Sequence, residues 1–86
     1  MDLIELCKSS FHDSNIEKIK ILLNKSDIDV NKTEYKYHTA LYYSFIYFNY
    51  ETIKLLINHP NIDINHQDSQ GQTALMHACS ELFFAS

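Results

Sequence analysis

The sequence predicts an all-α fold of short paired helices, and three observations support this prediction. The chain of 86 residues has one Gly and one Pro, where average usage gives about six and four. So few turn residues disfavour a β-sandwich or barrel, which needs a turn roughly every 8–12 residues. Apolar residues recur at helical spacing, and the chain repeats itself at an offset of 34 residues (Ile19 to Ile53).

The internal repeat appears when the chain is compared with itself. The offset of 34 aligns residues 19–24, IKILLN, with residues 53–58, IKLLIN. It also aligns residues 28–31, IDVN, with 62–65, IDIN, and residues 39–41 with 73–75, both TAL. Because these blocks share one offset without a gap, they indicate a true repeat rather than chance similarity.

Each repeat contains signals for two helices followed by an extended excursion, which we call a finger. The alternation of apolar and polar residues at 28–31 predicts an extended segment at the base of the first finger. Polar residues 65–72 predict a turn in the second finger. Each predicted helix begins at a residue that can cap it: Asp2, Ser14, Thr39, Asn49 and Thr73.

The start of the last helix, residues 73–78 with sequence TALMHA, resembles the Thr-Pro-Leu-His-x-Ala motif of ankyrin repeats. Residues 39–44 resemble it more loosely, and residues 68–73, DSQGQT, are similar to the finger of that family. The resemblance covers nearly the whole chain. It implies an ankyrin-type helix-turn-helix solenoid with short extended hairpin fingers, in one domain of residues 1–86 with units at about 1–34, 35–68 and 69–86, the last truncated.

Several positions depart from the family pattern. Tyr42 and Met76 stand where the family has His, so we expect the hydrogen bonds of that His to the finger to be lost or replaced. Tyr37 holds the finger position that Gly71 fills in the next unit, and Phe48 stands at the Gly between two helices. A bulky residue at these positions requires either a left-handed backbone or a different turn.

Composition and targeting signals narrow the function class. Seven cations, all Lys, and 11 acidic residues give a net charge of −4, which disfavours nucleic acid as a partner. The sequence has neither a signal-peptide pattern nor the run of about 18 apolar residues of a membrane span. We therefore expect a cytoplasmic protein, with no membrane partner, in which Cys7 and Cys79 are buried thiols; a disulfide is the alternative.

Candidate metal and catalytic motifs fail their spacing tests. Asp27, Asp29 and Asn31 begin like a calcium loop, but Lys32 and His38 stand where such a loop needs Gly and Glu. The five His and two Cys show no C-x-x-C or H-x-x-x-H spacing, so we interpret the histidines as surface residues. The sequence therefore predicts no metal site, no cofactor, no catalytic residues and no enzymatic activity.

The resemblance implies a non-catalytic module that binds a protein partner through its finger tips and the concave face of its first helices. The partner's identity does not follow from the sequence. Carried over position by position, the binding residues are Tyr35, Lys36, His38, Ile46, Tyr47, Ser69, Gln70, Gln72, Ser80 and Glu81.

Eight aromatic residues lie between positions 35 and 50, which is more than two helical faces can bury. One interpretation is that most of them fill space left by absent glycines and alanines. The other is that Tyr35, Tyr43 and Tyr47 stay exposed, since tyrosine suits protein interfaces.

The last unit ends after one helix, so Leu82, Phe83 and Phe84 lack the second helix that would cover them. Three explanations are open: a longer array, contact with another subunit, or folding back over the last finger. We expect concentration-dependent homo-oligomerisation through this end. The alternative function is therefore a structural or self-assembly module that associates through its aromatic surface and open C-terminal end.

Overall fold

The computed structural model describes the backbone of residues 2–8 and 13–85 and the side chains of residues 2–8 and 15–80. Strands β1 (Thr33–Glu34) and β2 (His38–Thr39) pair antiparallel, joined by a turn of 3-10 helix over Tyr35–Tyr37. The described helices are α1 (Leu3–Lys8), α2 (Asp13–Leu23), α3 (Ala40–Ile46), α4 (Tyr50–Ile57) and α5 (Ala74–Ala85).

Four of the predicted caps are present. The Thr39 hydroxyl accepts a hydrogen bond from the Tyr42 N–H at 3.3 Å, and the Asn49 side chain accepts one from the Thr52 N–H at 3.2 Å. Each bond satisfies one of the N–H groups that a helix start leaves unpaired. Asp2 and Thr73 act in the same way at α1 and α5. The prediction that α2 begins after a Ser14 cap is wrong, because α2 begins at Asp13.

The helices form two rows. α3 packs against α1 on one side and against α5 on the other, and α2 packs against α4. Burial of apolar side chains between the rows is the main stabilising contribution, at about 25 cal/mol per Å². The core consists of Leu3, Ile4, Leu6, Cys7, Ile19, Val30, Ala40, Leu41, Leu56 and Ala74.

The predicted helical content is confirmed, and the structure adds the short β1–β2 ladder. This ladder makes the first finger, residues 33–39, a small hairpin. Residues 28–31 do not form a strand. Instead, the Asp29 carboxylate accepts the Asn31 N–H at 3.1 Å, and the Asn31 side chain then joins the two units. Its amide donates to the Asn61 carbonyl and accepts from the Asp63 N–H, both at 2.8 Å.

Bulky residues occupy the turns where the family has glycine. Tyr37 has φ 61° and Phe48 has φ 55°, beside Gly71 at φ 75° in the second finger. Lys36 also has a positive φ, 60°. Of the two possibilities set out above, the chain uses the left-handed backbone, which costs a non-glycine residue about 1–2 kcal/mol.

The two cysteines differ in burial. Cys7 is fully buried in α1, and burial raises its pKa to about 11. Cys79 is exposed, and both are free thiols. The expectation of a buried thiol is therefore wrong for Cys79, because α5 turns Ala78 inward and the next residue lies about 100° around the helix. No helix in the described part of the chain is long and apolar enough to span a membrane.

Candidate functional site

The second finger, residues 66–73, is organised by one carboxylate. The Asp68 side chain is only 5% exposed. Its Oδ1 accepts the N–H groups of Gln70 at 2.8 Å and Gln72 at 3.0 Å. Backbone bonds from the Asp68 N–H to the Gln72 carbonyl and from the Gly71 N–H to the Asp68 carbonyl close the same turn. The Asp68 side chain therefore reinforces a backbone-bonded turn in which Gly71 takes its left-handed conformation.

The second oxygen of Asp68 contacts two imidazole rings. The Nε2 atoms of His77 and His38 lie 2.7 Å and 3.2 Å from Asp68 Oδ2. Because an ionised carboxylate only accepts hydrogen bonds, both Nε2 atoms carry a proton and donate. His38 comes from β2 and His77 from α5, so Asp68 ties its own finger to the first finger and to the last helix.

The pKa values of this cluster follow from burial and hydrogen bonding. Burial on its own would raise the pKa of Asp68, but hydrogen bonds from His77, Gln72, Gln70 and His38 outweigh it and hold the pKa well below its usual range. Burial lowers the pKa of His38, although the bond to Asp68 opposes this effect. Near pH 7 the cluster therefore contains a carboxylate and a largely neutral His38.

Aromatic contacts enclose the two imidazoles. The Tyr42 ring stacks on His38 with centroids 3.6 Å apart and planes 6° apart. It meets His77 edge-on at 4.8 Å. We refer to His38, Asp68 and His77 as the His-Asp-His cluster.

The sequence predicts that the histidines are surface residues. This prediction is wrong for His38 and His77, whose side chains are only 12% and 20% exposed. Spacing rules missed them because their partner Asp68 lies 30 and 9 residues away along the chain. The repeat offset held a usable signal, since it places His38 and Asp68 in neighbouring fingers. His38 as a partner contact stays a prediction; within the chain its ring contacts Asp68 and Tyr42.

The first finger presents its aromatic side chains to solvent. Tyr35 is 75% exposed and Tyr37 is 63% exposed. Lys36 is exposed as well, with its Nζ 5.3 Å from the centroid of the Tyr35 ring. Ile46, the last residue of helix α3, is partly buried, and Tyr47, which follows it, is 40% exposed.

Backbone contacts from the second finger hold this surface in place. The Ser69 N–H donates to the Lys36 carbonyl at 2.9 Å. The His66 Nε2 donates to the Tyr37 carbonyl, also at 2.9 Å. The finger that carries exposed tyrosines is therefore fixed at both left-handed residues.

Tyr43 does not join the exposed tyrosines. It is partly buried, and Lys8 Nζ lies 4.6 Å from its ring centroid. Lys8 also donates to Glu34 Oε1 at 3.1 Å, which keeps the ammonium group over the ring. Of the two interpretations of the aromatic cluster, the one that leaves Tyr43 exposed is therefore wrong for this residue.

The remaining predicted contacts fall into two groups. Ser69, Gln70, Gln72 and Ser80 are exposed, and the Ser69 N–H contacts the first finger at the Lys36 carbonyl. The side chains of the others lie outside the described residues, and these are Glu81, Leu82, Phe83 and Phe84.

A separate apolar groove lies between α3, α4 and α5. Its volume is about 230 Å³. Ile57, Ile64 and Leu75 are 49%, 50% and 60% exposed along it. Leu41, Phe45, Asn65 and Thr73 also line it.

A family model described as ankyrin repeats (3 copies) matches residues 5–83. The chain belongs to the ankyrin repeat family. No curated protein and no solved structure matches it. Ankyrin repeats are generally protein–protein interaction modules, and the family is generally non-catalytic.

Family membership clarifies one of the departures noted in the sequence. In the ankyrin repeat that begins at α5, Met76 stands at the family's His and is 53% exposed. His77, one residue later, supplies the hydrogen bond to the finger carboxylate instead. In the preceding repeat the residue at the His position is Tyr42, which contacts the same cluster through its ring.

Proposed function

We propose that this ankyrin repeat chain binds a protein partner through the first finger and the C-terminal end of α3. The observation that carries the proposal is the exposure of Tyr35 and Tyr37 on the first finger and of Tyr47 at the C-terminal end of α3. Tyrosine offers a large contact area at low entropic cost and is enriched in interface hot spots. We call this set the tyrosine surface.

Rigidity strengthens the proposal. An interface loses affinity when it must order flexible loops on binding. The bonds from Ser69 and His66 to the carbonyls of Lys36 and Tyr37 fix the finger before a partner arrives. The Lys36 ammonium beside Tyr35 adds a positive charge to an otherwise acidic chain and favours a partner with a carboxylate at that point.

The second finger contacts the first through the Ser69 N–H, and it and α5 carry exposed polar side chains. Ser69, Gln70, Gln72 and Ser80 are exposed and suit the polar rim that surrounds an interface core. We expect them to contribute less to affinity than the tyrosines.

The test compares capture of proteins from a native-cell lysate by the immobilised wild-type chain and by variants, read by quantitative mass spectrometry. The variant Tyr35→Ala/Tyr47→Ala should lose the captured partner at least tenfold. Tyr50→Ala is the matched control, because Tyr50 is 67% exposed but lies on α4. Equal capture by all three proteins would refute the tyrosine surface, and circular dichroism checks that each is folded.

Self-association is the second candidate function, and the apolar groove favours it. Exposed Ile57, Ile64 and Leu75 need a covering helix, and α2 of a second copy carries exposed Ile21 beside half-buried Leu22. Such a contact joins two different patches and makes a head-to-tail pair. Sedimentation velocity should show association that Leu75→Asp abolishes and Tyr50→Ala preserves. A monomer at millimolar concentration would exclude it.

A further inference from the structure

We propose that the His-Asp-His cluster is a binding site for Zn²⁺ or a similar divalent transition-metal ion. In this cluster, His38 Nε2, Asp68 Oδ2 and His77 Nε2 lie within 4.8 Å of one another. Among the side chains that the structure describes, these are the three His, Cys, Asp or Glu residues whose ligand atoms come this close together. This inference is independent of the partner surface proposed above.

The donor set matches the preference of zinc. Two imidazole nitrogens and one carboxylate oxygen form the three-protein-ligand set of many zinc sites, with a fourth position left for water. Calcium and magnesium prefer oxygen ligands and suit the cluster less well. The ion's charge would also compensate the carboxylate, which is now nearly buried.

The geometry requires only small adjustments. Zinc holds N and O ligands at about 2.0–2.2 Å, so the ligand atoms around it lie about 3.3 Å apart. The distances of 2.7 Å and 3.2 Å to Asp68 Oδ2 are close to that value, and all three ligand atoms lie within 4.8 Å of one another. Side-chain movements on the order of 1 Å open room for the ion, and each neutral imidazole then carries its proton on Nδ1 instead of Nε2.

Surrounding groups already orient the ligands as outer contacts do in metal sites. Asp68 Oδ1 is fixed by the N–H groups of Gln70 and Gln72, which leaves Oδ2 as the ligand atom. The Tyr42 ring fixes His38 by stacking. His77 is the most exposed of the three ligands and marks the side from which an ion enters.

Metal binding would join the two fingers and α5 at one point. Because the ligands come from β2, the second finger and α5, an ion bound there stabilises the folded chain over the unfolded one. We therefore expect zinc to raise the melting temperature of the protein in proportion to its occupancy.

The experiment uses the full chain with Cys79→Ser, which removes the exposed thiol, after stripping with EDTA. Zn²⁺ is titrated against a chromophoric chelator. One equivalent should bind, His38→Ala and His77→Ala should each weaken binding at least tenfold, and His59→Ala should not. Equal binding by all variants would mean adventitious surface binding and would overturn the proposal, as would no binding at all.

A second readout does not depend on the variants folding. In the ¹⁵N spectrum of the Cys79→Ser chain, Zn²⁺ should shift the Nε2 resonances of His38 and His77 and leave those of His59 unchanged. Unchanged His38 and His77 resonances at saturating zinc would show that the cluster is a hydrogen-bonded one that excludes metal.

Discussion

The two fingers occupy equivalent places in the repeat but are held by different interactions. In the second finger, Asp68 accepts two backbone N–H groups and two imidazoles, and Gly71 makes the turn. In the first finger the equivalent residues are Glu34 and Tyr37. Glu34 points to Lys8, and strand pairing holds the hairpin.

This difference explains why the side chains of one finger are available for binding and those of the other are not. The second finger uses its acidic side chain and its neighbouring histidines for its own structure. Backbone pairing and contacts from the second finger hold the first one, so Tyr35, Lys36 and Tyr37 remain exposed. We infer that the second finger serves as a support and the first as the contact surface.

The largest expected effect comes from Asp68→Ala. It leaves two N–H groups and two imidazoles without an acceptor, so we expect a loss of about 3 kcal/mol in the free energy of unfolding. Urea denaturation followed by circular dichroism measures it. Asp63→Ala is the control, because the Asp63 carboxylate accepts a single exposed bond from the Asn65 N–H. If the two variants lose equal stability, Asp68 does not organise the finger.

The second effect is a loss of stability in acid, measured in EDTA. The folded pKa of His38 is lowered, so the folded state takes up that proton less readily, and stability falls as pH drops below about 6.5. The pKa of Asp68 is also lowered, so its contribution is present above about pH 4 and is lost as pH falls further. The charges of His77 and Lys36 also lower the pKa of His38.

Urea titrations between pH 7.5 and pH 3 test this dependence. His38→Asn should remove the fall in the free energy of unfolding that the wild-type chain shows near pH 6. A wild-type stability that stays constant from pH 7.5 to pH 3 would contradict the hydrogen-bonding pattern of the cluster.

The third comparison exchanges the turn residues. Gly71→Ala places a Cβ where no atom lies within 4 Å, but at a φ of +75°, so we expect a loss of about 1 kcal/mol from the backbone alone. Tyr37→Gly relieves the same conformation and should stabilise the chain by about 0.5 kcal/mol. Thermal denaturation measures both changes in stability. A loss for Gly71→Ala with a gain for Tyr37→Gly would support the comparison, and changes of the same sign would refute it.

The smallest effect is expected at Glu34, the counterpart of Asp68. Its pair with Lys8 is partly exposed, with side-chain exposures of 38% for Lys8 and 30% for Glu34, and such pairs contribute little. Glu34→Ala should leave the urea midpoint unchanged within error. A loss comparable to that of Asp68→Ala would show that the two fingers are held alike.

Sequence reasoning recovered the features that depend on local chemistry. The repeat offset and the caps Thr39, Asn49 and Thr73 placed three helix starts correctly, because a cap bonds to a backbone group three residues away. The offset also located Tyr37 as the position that needs a left-handed backbone.

Features that depend on long-range packing were not predictable in the same way. The His-Asp-His cluster joins three elements, and no short motif describes it. The burial of Tyr43 depends on Lys8 from α1, and the exposure of Cys79 depends on the rotation of α5. In each case the residue type is compatible with either outcome, and the packing of distant elements decides.

The central claim is that the first finger is the contact surface and the second is its support. Amide hydrogen exchange of the chain, alone and with the partner captured from lysate, tests it most directly. We predict that the partner protects residues 34–37 and 43–47 most strongly, with weaker protection at 69–72. Protection confined to residues 69–72 or to α4, with none in the first finger, would contradict the claim.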